Sequence, residues 1–159
     1  MTGDEEIILT QEGYDRICAE LQHLSTVERP EVRKRLSEAK QSAEDFDTSE
    51  YENAKMDQAI IESRIGELED VIRRARTLKP EDIPTKEIGL GSIVRLKDRE
   101  ADDVWEVRIV SSFESDPNED RISIESPLGR ALLGQKARSD VEVKAPAGTV
   151  KYRVLKIGR

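Results

Sequence analysis

The chain has 159 residues, enough for one ordinary domain or two small ones. Its net charge of −8 and isoelectric point near 4.9 exclude the broad basic face that coats nucleic acid, and point to a protein partner instead. Only 4% of residues are aromatic against 38% charged, the balance of long helices that bury a thin seam, so part of the chain is expected to be a coiled coil.

The acidic start, Met1-Thr-Gly-Asp-Glu-Glu6, lacks the basic and apolar regions of a signal peptide. No run approaches the roughly 18 apolar residues of a membrane span. Thr10 can cap a first helix, with Leu9 and Tyr14 placed as a hydrophobic staple. Tyr14, Ile17, Leu21 and Leu24 then alternate spacings of three and four. Cys18, the single cysteine, excludes an intramolecular disulfide and suits a reducing compartment, so a cytoplasmic location is expected. Val32, Leu36, Ala39 and Ala43 resume the rule after a break at Pro30, where a kink is expected because proline lacks a backbone donor.

Residues 42–50, "SAEDFDTSE", crowd Glu44, Asp45 and Asp47 around Phe46. Ser49 with Glu52 reads as a capping box for a second helix. Its seam runs through Tyr51, Ala54, Gln58, Ile61, Ile65, Leu68, Ile72 and Ala75. A link as short as about 43–49 requires the two helices to lie antiparallel, giving a hairpin over 1–76 with an acidic tip. A helix of about 33 residues would carry that tip roughly 50 Å from its base. The small Ala39, Ala43 and Ala54 leave a narrow end that fits a pore.

Thr77 to Glu87, "TLKPEDIPTKE", has two prolines and no periodicity and reads as a linker. Residues 88–159 change to period two, with strand candidates "SIVRL", "VWEVRIV", "RISIE", "VEVKA" and "VKYRVLKI". Pro146 to Gly148 should close a hairpin, and Ser126-Pro127 should start a short helix ended by Gly134. The expected fold class is α+β: an N-terminal antiparallel α-helical coiled-coil hairpin, then a small antiparallel β-sheet domain with one short helix.

Familiar enzyme chemistry is absent. His23 and Cys18 fall on different helix faces, and no second histidine exists to build a metal cluster or a catalytic dyad. Gly89-Leu-Gly91 precedes a strand rather than a helix, so it reads as a turn and not a phosphate cradle. Trp105 and Phe113 read as core. The hairpin's charges carry more information. Arg29, Arg33, Lys34, Arg35 and Lys40 outnumber Glu31 and Glu38, and then come Glu44, Asp45, Asp47, Glu50 and Glu52 with no base between Lys40 and Lys55. A structural helix usually interleaves its signs, and the bland reading is a solvated turn. A basic shaft at Arg33, Lys34 and Lys40 behind an acidic point suits a phosphate backbone and the delivery of carboxylates to a hard divalent cation.

Four stretches resemble the bacterial Gre transcription factors: Leu9-Thr-Gln-Glu-Gly13, Arg29-Pro-Glu-Val32, Ser49-Glu-Tyr51 with Ala54-Lys55, and Ser126-Pro-Leu-Gly-Arg-Ala-Leu-Leu-Gly134. The resemblance covers nearly the whole chain, and the last stretch is its most specific part. It implies an FKBP-like domain over 88–159 that binds bacterial RNA polymerase at the rim of the secondary channel, with Ser126, Pro127 and Leu128 as contacts. It further implies a coiled coil that reaches the polymerase's active centre, with the 3′ end of the nascent RNA as a further contact. The protein would be a monomer with no cofactor of its own, sharing Mg²⁺ or Mn²⁺ with the polymerase.

In the cleavage-stimulating members, an aspartate and a glutamate three residues apart at the tip help hold a second Mg²⁺ and position water. The register from Arg29-Pro30 and Glu50-Tyr51 carries these positions onto Glu44 and Asp47, with the identities exchanged. The tip departs from that pattern, since Asp45 stands where the family has leucine or phenylalanine and Phe46 follows it. The order acid, acid, aromatic, acid is similar to the Gfh factors, Gre homologues that inhibit the polymerase. The tip therefore leans towards an inhibitor, with a cleavage factor as the alternative. Tyr51 and the Ser126–Gly134 stretch resemble the cleavage factors. A prolyl isomerase or chaperone would need more aromatics than Trp105, Phe113 and Tyr152, and a dimerising coiled coil leaves the acidic apex unexplained.

Overall fold

The structure is a computed structural model that describes residues 5–42 and 48–159. By contacts the chain divides into one unit built mainly of Tyr14–Ala75 and a second that joins Ile7–Gly13 to Arg76–Arg159.

In the first unit, helix α1 (Gln11–His23) passes through a π-helical turn, Leu24–Glu28, into α2 (Arg29–Ser42). The expected break at Pro30 thus falls one turn upstream. A proline ring collides with the carbonyl four residues back, here Thr26, and widening the preceding turn to i→i−5 bonds relieves the clash. Thr26 Oγ1 donates to the carbonyl of Gln22 at 2.7 Å inside that wider turn. Helix α3 (Thr48–Arg74) begins one residue before the expected Ser49.

The arm formed by α1 and α2 runs antiparallel to α3, as three ion pairs between them show, their positions rising along one arm while falling along the other. Glu20 meets Arg64 at 2.7 Å, Glu62 meets Arg29 at 2.7 Å, and Asp57 meets Arg35. The buried seam comprises Ile17, Leu24, Val32 and Ala39 from one side and Ala54, Ile65, Leu68 and Val71 from the other. Near its end α3 buries Val71 and leaves Ile72 half-buried. Ala75 leaves the helix altogether.

In the second unit, β1 (Ile7–Leu9) pairs with β2 (Ala75–Thr77), a two-stranded sheet that the helical and linker readings missed. Beyond Lys79 the chain turns through a 3₁₀ segment, Pro80–Asp82, and buries Ile83 and Ile88. Five strands follow at the expected places: β3 (Ile93–Asp98), β4 (Val104–Val110), β5 (Arg121–Ser123), β6 (Asp140–Ala145) and β7 (Gly148–Gly158). Their order is β5-β4-β3-β7-β6. Every pair is antiparallel except β4–β5, which is parallel from Arg108↔Arg121 to Val110↔Ser123.

The β6–β7 hairpin closes with Ala145 opposite Gly148, so Pro146 and Ala147 form a two-residue turn. Helix α4 (Pro127–Leu132) covers the sheet. Alternate residues Val94, Leu96, Val107, Ile109, Val141 and Val154 form its core with Ile88, Ile122 and Leu132.

Phe113 is not part of this core; it is 53% exposed. It sits in a three-residue 3₁₀ turn, Ser112–Glu114, in which the position that points inward is Glu114, and consecutive positions cannot both do so. Trp105 is half-buried against the core and donates Nε1–H to Asp120 Oδ1 at 2.6 Å. Leu90–Gly91 forms the expected turn before β3.

Candidate functional site

The acids and aromatic singled out at the tip, Glu44, Asp45, Phe46 and Asp47, lie outside the described residues. What the structure shows is the pair of helix ends that carry them. Ala39 on α2 and Ala54 on α3 are buried against one another's helix, with Arg35, Glu38, Glu50 and Asn53 lining the groove beside them. With only methyl groups in the seam, the helices stay close where they meet the tip, while Glu50 and Glu52 extend its negative charge along the exposed face of α3.

The basic shaft divides into two sets. Arg29 and Arg35 are engaged across the hairpin with Glu62 and Asp57, and hydrogen bonding from Arg29 holds the Glu62 carboxyl below its ordinary range. Arg33, Lys34 and Lys40 are exposed; Lys34 approaches Glu38 only to 4.0 Å, one turn away. Exposed pairs at that distance hold a side chain weakly. Lys55 Nζ sits 5.1 Å from the centre of the Tyr51 ring, fixing a further cation near the start of α3. Sequence reasoning missed this contact, although the i,i+4 spacing of Tyr51 and Lys55 carried the signal.

In the second domain the Ser126–Gly134 stretch turns out to be built largely by packing. Ser126 caps α4: its Oγ accepts from Gly129 N at 3.0 Å and donates to Ser123 O at 2.6 Å. Pro127 occupies the first turn, where its missing N–H costs nothing. Gly129 presses against β5 so closely that a Cβ there would lie 1.9 Å from Ser123 O. Leu132 is fully buried and Leu128 packs partly on the core. The outward face retains Pro127, Arg130 and Leu133, the last 48% exposed. Leu133 was not singled out from sequence, because Leu132 and Leu133 look alike until the helix axis is known.

Among the described residues no group of three His, Cys, Asp or Glu side chains converges to hold a metal ion. His23 is exposed, 4.0 Å from Glu28, and Cys18 is half-buried beside Tyr14, whose hydroxyl titrates above its ordinary value through its hydrogen bond to the thiol. No helix among the described residues is long and apolar enough to cross a membrane.

Two family models together match most of the chain. "Transcription elongation factor, N-terminal" covers residues 7–77, and "Transcription elongation factor, GreA/GreB, C-term" covers residues 83–159. The chain is 43% identical over 157 residues to transcription elongation factor GreA of Syntrophomonas wolfei, covering 99% of each. It is 45% identical over 159 residues to GreA of Alkaliphilus oremlandii, covering 100% of each. Among solved structures, GreA factor homolog 1 of Thermus thermophilus is 35% identical, with 98% of this chain and 100% of that one covered, at a TM-score of 0.48. A likeness at that score does not bear on what the tip does.

Proposed function

Because the chain belongs to the GreA/GreB family of transcription elongation factors, we propose that it acts through RNA polymerase, and is not itself an enzyme, as a GreA-type factor that stimulates cleavage of backtracked RNA. The observation that carries this reading is identity above 40% along the full length of relatives named GreA. It reverses the leaning towards inhibition that the tip order suggested. The second domain would anchor at the rim of the polymerase's secondary channel through Pro127 and Leu128, with Ser126 holding the helix start. The hairpin would then present Glu44 and Asp47 to the polymerase's catalytic Mg²⁺, with Arg33, Lys34 and Lys40 running beside the RNA.

The chemistry this asks of the chain is limited. Carboxylates are hard oxygen ligands for Mg²⁺, and a second ion held next to the resident one activates water and neutralises the charge that develops at the phosphate. Exchanging Asp and Glu alters the reach of each carboxylate by one carbon, and both remain able to ligate.

A transcript-cleavage assay on stalled elongation complexes tests the proposal. Addition of the protein should shorten the backtracked RNA faster than polymerase alone. Replacing Glu44→Gln, Asp45→Asn and Asp47→Asn together should abolish the effect while binding persists. The order Glu44-Asp45-Phe46-Asp47 favours a second reading, inhibition of nucleotide addition, which the same assay would reveal as slowed extension without cleavage.

A further inference from the structure

Helix α1 begins with an incomplete cap. Thr10 stands at the N-cap and its Oγ1 accepts from Gly13 N at 3.1 Å, the first half of a capping box. In the ordinary box the residue at Gly13's position is Glu or Gln, whose side chain reaches back to the N–H of the cap residue. Glycine has no side chain to do so. The missing carboxylate arrives from 104 positions along the chain: Glu114 accepts from Thr10 N at 2.8 Å through Oε2 and from Thr10 Oγ1 at 2.5 Å through Oε1.

Both partners are inside the protein, Thr10 at 4% exposure and Glu114 at 6%. Glycine also leaves the carboxylate its place, since a Cβ at position 13 would lie 1.8 Å from Glu114 Oε1 and a larger residue would displace it. The same segment is tied down elsewhere. Leu9 is fully buried, Leu78 N donates to Leu9 O at 2.8 Å, and Glu12 meets Arg108 at 3.4 Å.

We propose that Thr10, Gly13 and Glu114 are a lock that straps residues 7–13 onto the second domain, completing a helix cap across the chain, and that the strap is the part of this domain that opens first when the lock is weakened. The physical reason is the asymmetry of buried polar groups. A carboxylate withdrawn from water is tolerated only while its donors are present, and losing one donor leaves the other partner buried and unsatisfied. A buried polar pair therefore closes and opens as one unit, whereas the apolar contacts of Ile7 and Leu9 weaken gradually. A carboxylate at a helix N-terminus is further favoured by the helix dipole.

The test is native-state hydrogen exchange on the full-length protein, which needs no assumption about the protein's function. The amide of residue 10 reads the lock directly and that of Leu78 reads the strap's pairing. Thr10→Val and Glu114→Gln should each speed exchange at both sites by about tenfold, with the amides at Val107 and Ile109 in the middle of the sheet changing by less than about twofold. The double variant should exchange no faster than the faster single one, since both remove one shared interaction. Thr10→Ser, which keeps the hydroxyl, should restore slow exchange. Thr10→Val preserves the side-chain shape and carries the test by itself should Glu114→Gln fail to fold. Equal acceleration of strap and sheet centre, effects of the two variants that multiply, or unchanged exchange at residue 10 would each overturn the proposal.

Discussion

Along the helical hairpin, burial is thin. Val32, Ala39, Ala54, Ile65 and Leu68 are separated by exposed positions, and the flanks are laced by the pairs Arg29–Glu62, Arg35–Asp57 and Arg64–Glu20. In the second domain the buried residues touch one another continuously, from Ile88 through the sheet to Leu132, and glycine stands where a backbone comes too near for a Cβ. The difference teaches what each part is free to vary. A narrow two-helix seam with solvated flanks can exchange surface charges at little cost and so adapt its length-wise charge pattern to a partner. A closed core punishes the loss of single methyl groups, because interiors are packed as densely as organic crystals.

The sharpest way to break that contrast is inside the closed core. Leu132→Ala removes a fully buried side chain from beneath α4 and should cost about 3 kcal/mol in denaturant unfolding of the second domain. If the loss were below about 1 kcal/mol, the helix would be a loose cover rather than part of the core. Gly129→Ala comes next, at about 2 kcal/mol, since its Cβ would meet a backbone oxygen that cannot turn aside. Polymerase affinity measured on the same variant should fall if the face around Pro127 is the anchor, because α4 must move away from β5.

A like-for-like pair sharpens the comparison. Ile109→Val in the sheet and Ile65→Val in the hairpin each delete one buried methyl, and both residues are almost completely enclosed. The sheet variant should lose about 1.5 kcal/mol and the hairpin variant about 0.5 kcal/mol, since a two-helix seam can close over a void from both sides. Equal losses in urea titrations of the two variants would remove the distinction drawn here.

The smallest effect is electrostatic. The hydrogen bond from Arg29 lowers the pKa of Glu62, so the pair's stabilisation is fully present above the ordinary glutamate value, about 4.3, and fades as pH falls through the lower folded value. Hairpin stability followed by helical circular dichroism should therefore drop on acidification in that window, and Glu62→Gln should remove its share of the drop by lowering stability slightly at neutral pH while leaving the acid end unchanged. Arg29→Met should do the same.

What could be read directly from the residues is whatever repeats locally. The three-and-four spacing of Tyr14, Ile17, Leu21 and Leu24, and of Ile61, Ile65 and Leu68, specifies a helical seam, because the faces of a helix depend only on neighbours within two turns. The alternation in residues 93–98, 104–110 and 140–145 specifies strands for the same reason, and the Ser126-Pro127 cap needed only three residues to be recognised. The assignment of Glu44 and Asp47 came instead from the register of the family resemblance, and both lie outside the described residues. Tertiary structure decided everything that depends on distant segments meeting. The pairing of β1 with β2, the parallel docking of β5 on β4 and the burial of Glu114 in place of Phe113 leave no periodic trace, since each depends on a segment beyond the reach of a local repeat. Gly13 illustrates the limit: in the sequence it is a weak position early in a helix, and only the structure puts the Glu114 carboxylate where a Cβ would be, so that a larger residue would have to displace it.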